Sequence, residues 1–120
     1  FNRLQDYSLA TTSRTIYTER RVVMDKRVYI SGAITGTTDY LQRFAKAEEE
    51  LTKQGFSVIN PAKVNAQMPD DTTYAEYMQM SFTMLDMCDY IYMLKGWNTS
   101  RGANRELGYA LGKDKVIMYE

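Results

Sequence analysis

MLDMCDYIYMLKGWNTSRGANRELGYALG, residues 84–112, decides the fold. Its first residues read as the end of a helix running into a buried strand, DYIYML. A glycine-containing loop follows, with Trp97, Asn98, Thr99 and Ser100, and then a second helix opens at GANRELGYALG. A strand, a glycine loop and a helix in that order form the repeating unit of open α/β sheets. In such sheets small molecules bind outside the carboxyl ends of the strands. The same stretch places one carboxylate, Glu106, just inside the helix that follows the loop.

Working outward, the elements alternate. RVYIS, from Arg27, is short, β-branched and aromatic, and the GAITG turn breaks it. DYLQRFAKAEEELTKQG then sets Leu41, Phe44, Ala45, Ala47 and Leu51 at near-helical spacing, with Asp39 as the expected N-cap and Gly55 as the stop. FSVIN is a second strand, and Asn60 and Pro61 open a connection through KVNAQMPDD. Thr72 or Thr73 caps a helix with Tyr74, Tyr77, Met78, Ser81, Leu85 and Cys88 on one face. KVIMYE supplies the last strand. The β-α-β-α-β-α-β order predicts a small three-layer, Rossmann-like (flavodoxin-like) α/β domain, with a parallel sheet of four to five strands flanked by helices.

Residues 1–24 differ from the rest. They lack a sustained apolar period and are rich in Thr, Ser and Arg, so they read as a loosely ordered extension before a domain at 25–120. Met24 reads as a natural protein start. To Lys26 the chain carries five basic and three acidic residues, against ten and twelve beyond it. An asymmetry that small does not point to a polyanion.

Composition narrows the chemistry. With 120 residues, 44% of them hydrophobic, the chain is sized for one core. A formal net charge of zero argues against a nucleic-acid polymer held by bulk electrostatics. There is no histidine and a single cysteine, Cys88, so the usual zinc sites and Ser-His-Asp arrangements are excluded within one chain. No metal and no cofactor is expected, and catalysis would rest on carboxylates, hydroxyls or backbone amides. No apolar run approaches the roughly 20 residues of a membrane helix, and no signal-peptide core is visible, so no membrane partner and a cytoplasmic location are expected.

Three points converge on the carboxyl edge of the predicted sheet. The YISGAITG turn, with Gly32, Ala33 and Gly36, lets the backbone approach a ligand closely, or simply makes a tight strand-to-helix turn. It lacks both the G-x-G-x-x-G spacing and the lysine of a P-loop. Ser100 with Gly102 opens a helix, where hydroxyl and amides hold a phosphate or hydroxyl group, or where Ser100 is an ordinary N-cap. Glu106 shares its side of the helix with Ala103 and Ala110. It is either a desolvated carboxylate with a raised pKa or a surface Glu favoured by the helix dipole. In the loop between them, Trp97 is placed to stack on a base, or to serve as a plug or interface anchor, and Asn98 to bond a base edge. Met78, Met84, Met87 and Met93 read as adaptable core, and Cys88 as an inert buried thiol. Asp89, at the amino end of its strand, reads as structural and Asp86 as solvated.

YISGAITG, VINP and MLDMCDYIYMLKGWNTSRGANRELGYALGK together resemble the nucleoside 2-deoxyribosyltransferase-like superfamily over nearly all of residues 26–120. Within it the chain resembles a small family of uncharacterised phage- and bacteria-encoded domains, in which CD-x-IYML-x-GW-x-x-S-x-GA-x-x-E recurs. The resemblance implies a nucleoside or nucleotide N-glycosyl enzyme, an N-glycosidase or a deoxyribosyltransferase. Glu106 stands at the nucleophile of the helix motif G-x-x-x-E-L-G-x-A. Tyr29 and Gly32 resemble the strand-end Tyr and loop Gly that border sugar and base, and Ser100 a Ser that contacts the sugar's 5-position or its phosphate. Ser81 stands where the family supplies an Asp to protonate the leaving base, eight residues before Asp89. That departure favours the alternative, a domain that binds or senses a nucleotide or its derivative without turning it over. A homodimer or larger homo-oligomer is implied as well, because members complete their pockets across subunits.

Overall fold

The computed structural model describes residues 26–120, so the expected extension at 1–24 lies outside the described residues. Strand β1 (Arg27–Ser31) leads to helix α1 (Tyr40–Lys53), strand β2 (Ser57–Ile59) and the short helix α2 (Pro61–Asn65). Helix α3 (Tyr74–Asp86), strand β3 (Tyr90–Met93), a single 3-10 turn (Trp97–Thr99), helix α4 (Arg101–Gly112) and strand β4 (Val116–Tyr119) complete the chain. The four strands form one parallel sheet in the order β2-β1-β3-β4, which is the expected Rossmann-like α/β architecture.

β1 lies inside the sheet, with Tyr29 opposite Ile59 on one side and Ile91 on the other. Strand side chains alternate between faces, and both faces of β1 are covered, so Val28 to Ser31 are all buried. Val28 and Ile30 pack with Phe44, Ala47 and Leu51 of α1, Ala62 of α2, and Leu94. Tyr29 packs on the other face with Met84 and Leu85 of α3, Cys88, and Ala103 and Ala110 of α4. The connections after β1 and β3 therefore depart to opposite faces, and a crevice opens between the ends of these neighbouring strands. That is where open α/β sheets receive ligands.

Local chemistry sets most boundaries. Thr73 and Glu76 form a reciprocal capping box at the start of α3. Gly55, at φ 97°, takes the left-handed turn after α1. Asp39 does occupy the N-cap position of α1, but its carboxylate pairs with Arg43 at 3.3 Å instead of capping. Leu41 is 48% exposed, since the buried stripe of α1 runs through Phe44, Ala47 and Leu51. Part of the expected connection after β2 is helical: Asn60 caps α2 through Ala62 N at 3.0 Å, and Pro61 takes the first position, where no N–H is needed.

One surface expectation is corrected. Met87 is 42% exposed because it ends α3 on the outer side, where its carbonyl accepts from Arg27 at 3.2 Å. Asp86 is exposed, as expected, and on that surface its carboxylate accepts from the Tyr109 hydroxyl at 2.7 Å and lies 3.6 Å from Lys113. With the stacked rings of Phe82 and Tyr109, these contacts join α3 to α4. Asp89 is exposed at the amino end of β3, where its backbone bonds to Arg27 and Val116. Among the described residues, no helix is long and apolar enough to cross a membrane.

Candidate functional site

The site begins with the period of β1. Tyr29 and Ser31, two residues apart, point to the same side of the sheet, toward α3 and α4. Ala103 and Ala110, almost fully buried, let α4 sit close to that side, and Glu106 lies between them on the same stripe. The helix itself is started by Ser100, whose hydroxyl accepts from Ala103 N at 3.1 Å, after Gly96 (φ 86°) turns the chain out of β3. Glu106 is therefore carried on a firmly anchored helix into the crevice beyond β1.

Glu106 is only 8% exposed, and two hydroxyls from β1 hold it. Ser31 Oγ donates to Oε1 at 2.6 Å and Tyr29 Oη to Oε2 at 2.8 Å. Burial raises the pKa of the carboxyl, while Ser31, Tyr29 and Ser81 oppose that rise by favouring the charged form. Burial, together with the neighbouring Glu106, pushes Tyr29 well above its ordinary value. Tyr29 is thus kept as a donor. Ser81, 4% exposed on α3, completes the polar floor. Each carboxylate oxygen has a second lone-pair direction, so two fixed donors orient the group without exhausting it.

A cavity of about 130 Å³ opens at Glu106. The β1–α1 turn contributes Gly32, Ile34 and Thr35, and α2 contributes Asn65. Tyr74, Tyr77, Met78 and Ser81 come from α3; Ser100, Gly102 and Ala103 close the wall at α4. Among the described residues, Glu106 is the sole carboxylate on this lining, and no lysine or arginine lines it. Tyr74, 39% exposed, stands at the mouth, where the guanidinium carbons of Arg101 and Arg105 lie 4.7 and 5.5 Å from its ring centre. A larger groove of about 730 Å³ runs along α3 past Val64, Met68 and Met80, but Glu106 does not line it. The buried, polar chemistry lies in the smaller cavity.

Six of the predicted site residues are gathered here: Glu106, Tyr29, Gly32, Ser81, Ser100 and Gly102. Four others lie off the lining. Ala33 is packed below the turn, and its carbonyl accepts from Arg43 at 3.1 Å. Gly36, at φ 82°, makes the turn itself. Trp97 packs its indole against the core on the α3–α4 face and near Tyr119, so its plug reading describes its position better than base stacking. Asn98 lies in the 3-10 turn, and its carbonyl accepts from Asn104.

Gly32 carries a packing constraint too. A Cβ there would lie 3.0 Å from Leu94 Cβ and 2.9 Å from its Cδ1, so the close approach of β1 and β3 ends requires glycine. Ser31, Thr35, Asn65, Tyr74 and Tyr77 add further polar side chains around Glu106 and its cavity. Ser31 could have been found from its two-residue offset from Tyr29, and the two tyrosines from sharing a helix face with Ser81. Nothing in the sequence around Asn65 marks it. Among the described residues, no three His, Cys, Asp or Glu gather as a metal site.

A family model described as a domain of unknown function, DUF4406, matches residues 26–119. The chain belongs to this family. The DUF4406 match takes in all of the strands and helices described above and every residue that holds or surrounds Glu106. A search of curated proteins finds no match to this DUF4406 chain.

Proposed function

We propose that this cavity binds a nucleoside or nucleotide and that Glu106 acts as nucleophile at the anomeric carbon, making the protein an N-glycosidase or a deoxyribosyltransferase. The observation that carries the reading is a carboxylate removed from water, oriented by hydroxyls on both oxygens, and opening on a cavity at the carboxyl end of a parallel sheet. The resemblance of GANRELGYA to the nucleophile motif of the nucleoside 2-deoxyribosyltransferase-like superfamily supports it.

A carboxylate oxygen of Glu106 would attack the anomeric carbon as the glycosidic C–N bond breaks. The bonding electron pair leaves on the base, which takes up one proton, and a glycosyl ester remains. Water attacking that ester gives up a proton and frees sugar and carboxylate, the outcome of a hydrolase. Attack by a nitrogen of a second base gives a transferase. Tyr29 and Ser31 would hold the carboxylate in position, and Arg101 and Arg105 would face a 5-phosphate from the mouth. A second copy of the chain would enclose the part of a nucleotide that extends beyond so small a cavity.

The leaving base also needs an acid, and Ser81 offers only a hydroxyl beside Glu106. This observation favours a second reading, in which the same cavity binds or senses a nucleotide without cleaving it. Both readings are tested by incubating ribo- and deoxyribonucleosides and their 5-monophosphates with the wild type and Glu106→Gln, followed by chromatography and thermal melting. Free base produced by the wild type alone supports the enzyme. A raised melting temperature without cleavage supports the binding domain. If neither occurs, both readings fail.

A further inference from the structure

An ordinary nucleobase leaves a sugar with an added proton, and the cavity holds no side chain suited to supply it. Among the described residues, its lining has a single carboxylate, Glu106, which is assigned to the anomeric carbon. The other polar side chains there are the amide of Asn65 and the hydroxyls of Thr35, Tyr74, Tyr77, Ser81 and Ser100. Hydroxyls part with a proton reluctantly near neutral pH. The acids around α3 are engaged elsewhere. Asp71 and Glu76 line the separate groove, where Glu76 accepts from Thr73 N at 2.9 Å, and Asp86 is held by Tyr109 and Lys113.

Glu106 also lacks a counter-charge. A buried charge is normally paired with an opposite one. This carboxylate is instead bonded to the uncharged hydroxyls of Tyr29 and Ser31. Among the described residues, no lysine or arginine forms an ion pair with it. Arg101 and Arg105 lie further out, over the ring of Tyr74 at the mouth. In any glycoside whose anomeric carbon reaches Glu106, the glycosidic nitrogen is one bond away from that carbon. A positive charge on that nitrogen's ring would therefore fall beside the unpaired carboxylate, and the same charge removes the need for an acid.

We infer that the cavity takes N-glycosides whose base is a cationic aromatic ring, such as a pyridinium or an N7-alkylated purine, in preference to ordinary uncharged nucleobases. This rests on the reading of Glu106 as nucleophile. As an oxygen of Glu106 bonds to the anomeric carbon, the C–N bond breaks and its electron pair passes to the ring, cancelling the positive charge. The base leaves neutral and takes up no proton. Water then attacks the glycosyl ester, sheds one proton and returns Glu106 to its carboxylate, so each turnover releases one proton. Ser81, a hydroxyl, is sufficient for such a substrate.

The test pairs each cationic nucleotide with an uncharged counterpart of the same shape: nicotinamide mononucleotide with its reduced form, and 7-methylguanosine 5-monophosphate with guanosine 5-monophosphate. Release of free base by the wild type is followed by chromatography against enzyme-free blanks, with proton release measured for nicotinamide mononucleotide. The inference expects the cationic member of each pair to be cleaved about 100- to 10,000-fold faster than its counterpart, the range that general acid catalysis contributes where it is present. It also expects one proton per nicotinamide released. Glu106→Gln should abolish the cleavage while melting as a folded protein, and the comparison within each pair is read on the wild type, so it stands whether or not that variant folds. Cleavage of charged and uncharged members at similar rates overturns the inference and leaves the N-glycosyl reading intact. Cleavage of the cationic members that persists in folded Glu106→Gln overturns it too. If no member of either pair is cleaved, the N-glycosyl reading fails and the inference falls with it.

Discussion

The phenol of Tyr29 and the carboxylate of Glu106, 77 positions apart in sequence, meet in a buried hydrogen bond of 2.8 Å. Tyr29 is fully buried and remains a donor, so this bond is fixed before any ligand arrives. Tyr29→Phe keeps the ring and deletes the donor. It should lower unfolding stability by about 1–3 kcal/mol, because a buried carboxylate loses one of its partners. It should also raise the Glu106 pKa further. Carbon-13 NMR titration of the Glu106 carboxyl checks this, and an unmoved titration would deny the hydroxyl its role.

Burial makes Glu106 hold its proton more tightly in the folded chain than in the unfolded one, where its pKa is near 4.5. Between that value and the higher folded pKa the native state binds more protons. Stability contributed by this group therefore falls as pH rises through the window and stays low above it. Glu106→Gln, free of the ionisation, should be at least as stable as the wild type at pH 7, and the difference should shrink below about pH 4. Urea unfolding across a pH series measures it. A difference independent of pH would rule out linkage to the carboxyl.

Two glycines beside the cavity should respond in opposite ways. Gly32→Ala forces a methyl against Leu94 Cβ and should cost about 1–3 kcal/mol. At Gly102 the nearest atoms to an added Cβ are Met78 Sδ at 3.6 Å and Tyr74 Oη at 3.7 Å, which is ordinary contact. Gly102→Ala should leave the fold intact or stabilise α4 by up to about 1 kcal/mol, while narrowing the cavity and weakening nucleoside binding. Paired melting and calorimetry separate the two effects.

Thr73 and Ser100 are both N-caps, yet only Ser100 lines the cavity. Thr73→Ala and Ser100→Ala should each lose about 1 kcal/mol of stability. A loss of nucleoside affinity confined to Ser100→Ala would identify a ligand contact beyond capping. Equal affinities in the two variants would reduce Ser100 to its cap.

The sheet and long helices were legible because their signals are local. β-branched and aromatic runs, the stripe Phe44–Ala47–Leu51, Thr73 at a capping position and Gly55 at a stop each act within a few residues. Helix α2 was not, since five residues are too few to show a period, although Asn60 followed by Pro61 is a start signal. Glu106 could be placed beside Ala103 and Ala110 by spacing, but its burial depends on Tyr29 and Ser31 of a distant strand. Trp97 stood beside the site residues in sequence, and the 3-10 turn carried its indole to the core instead. Asn65 was invisible for the opposite reason: its relation to Glu106 exists only across the crevice.

The two donors that hold Glu106 sit on the first described strand, 75 and 77 residues before it. During synthesis, β1 leaves the ribosome well before α4 is made, and until α4 docks neither hydroxyl has its carboxylate. A nascent chain halted before residue 106 has the strand and its turn but no carboxylate for them to hold. The buried pairing of carboxylate and hydroxyls is withheld from incomplete chains, and arrives only when α4 has docked against β1.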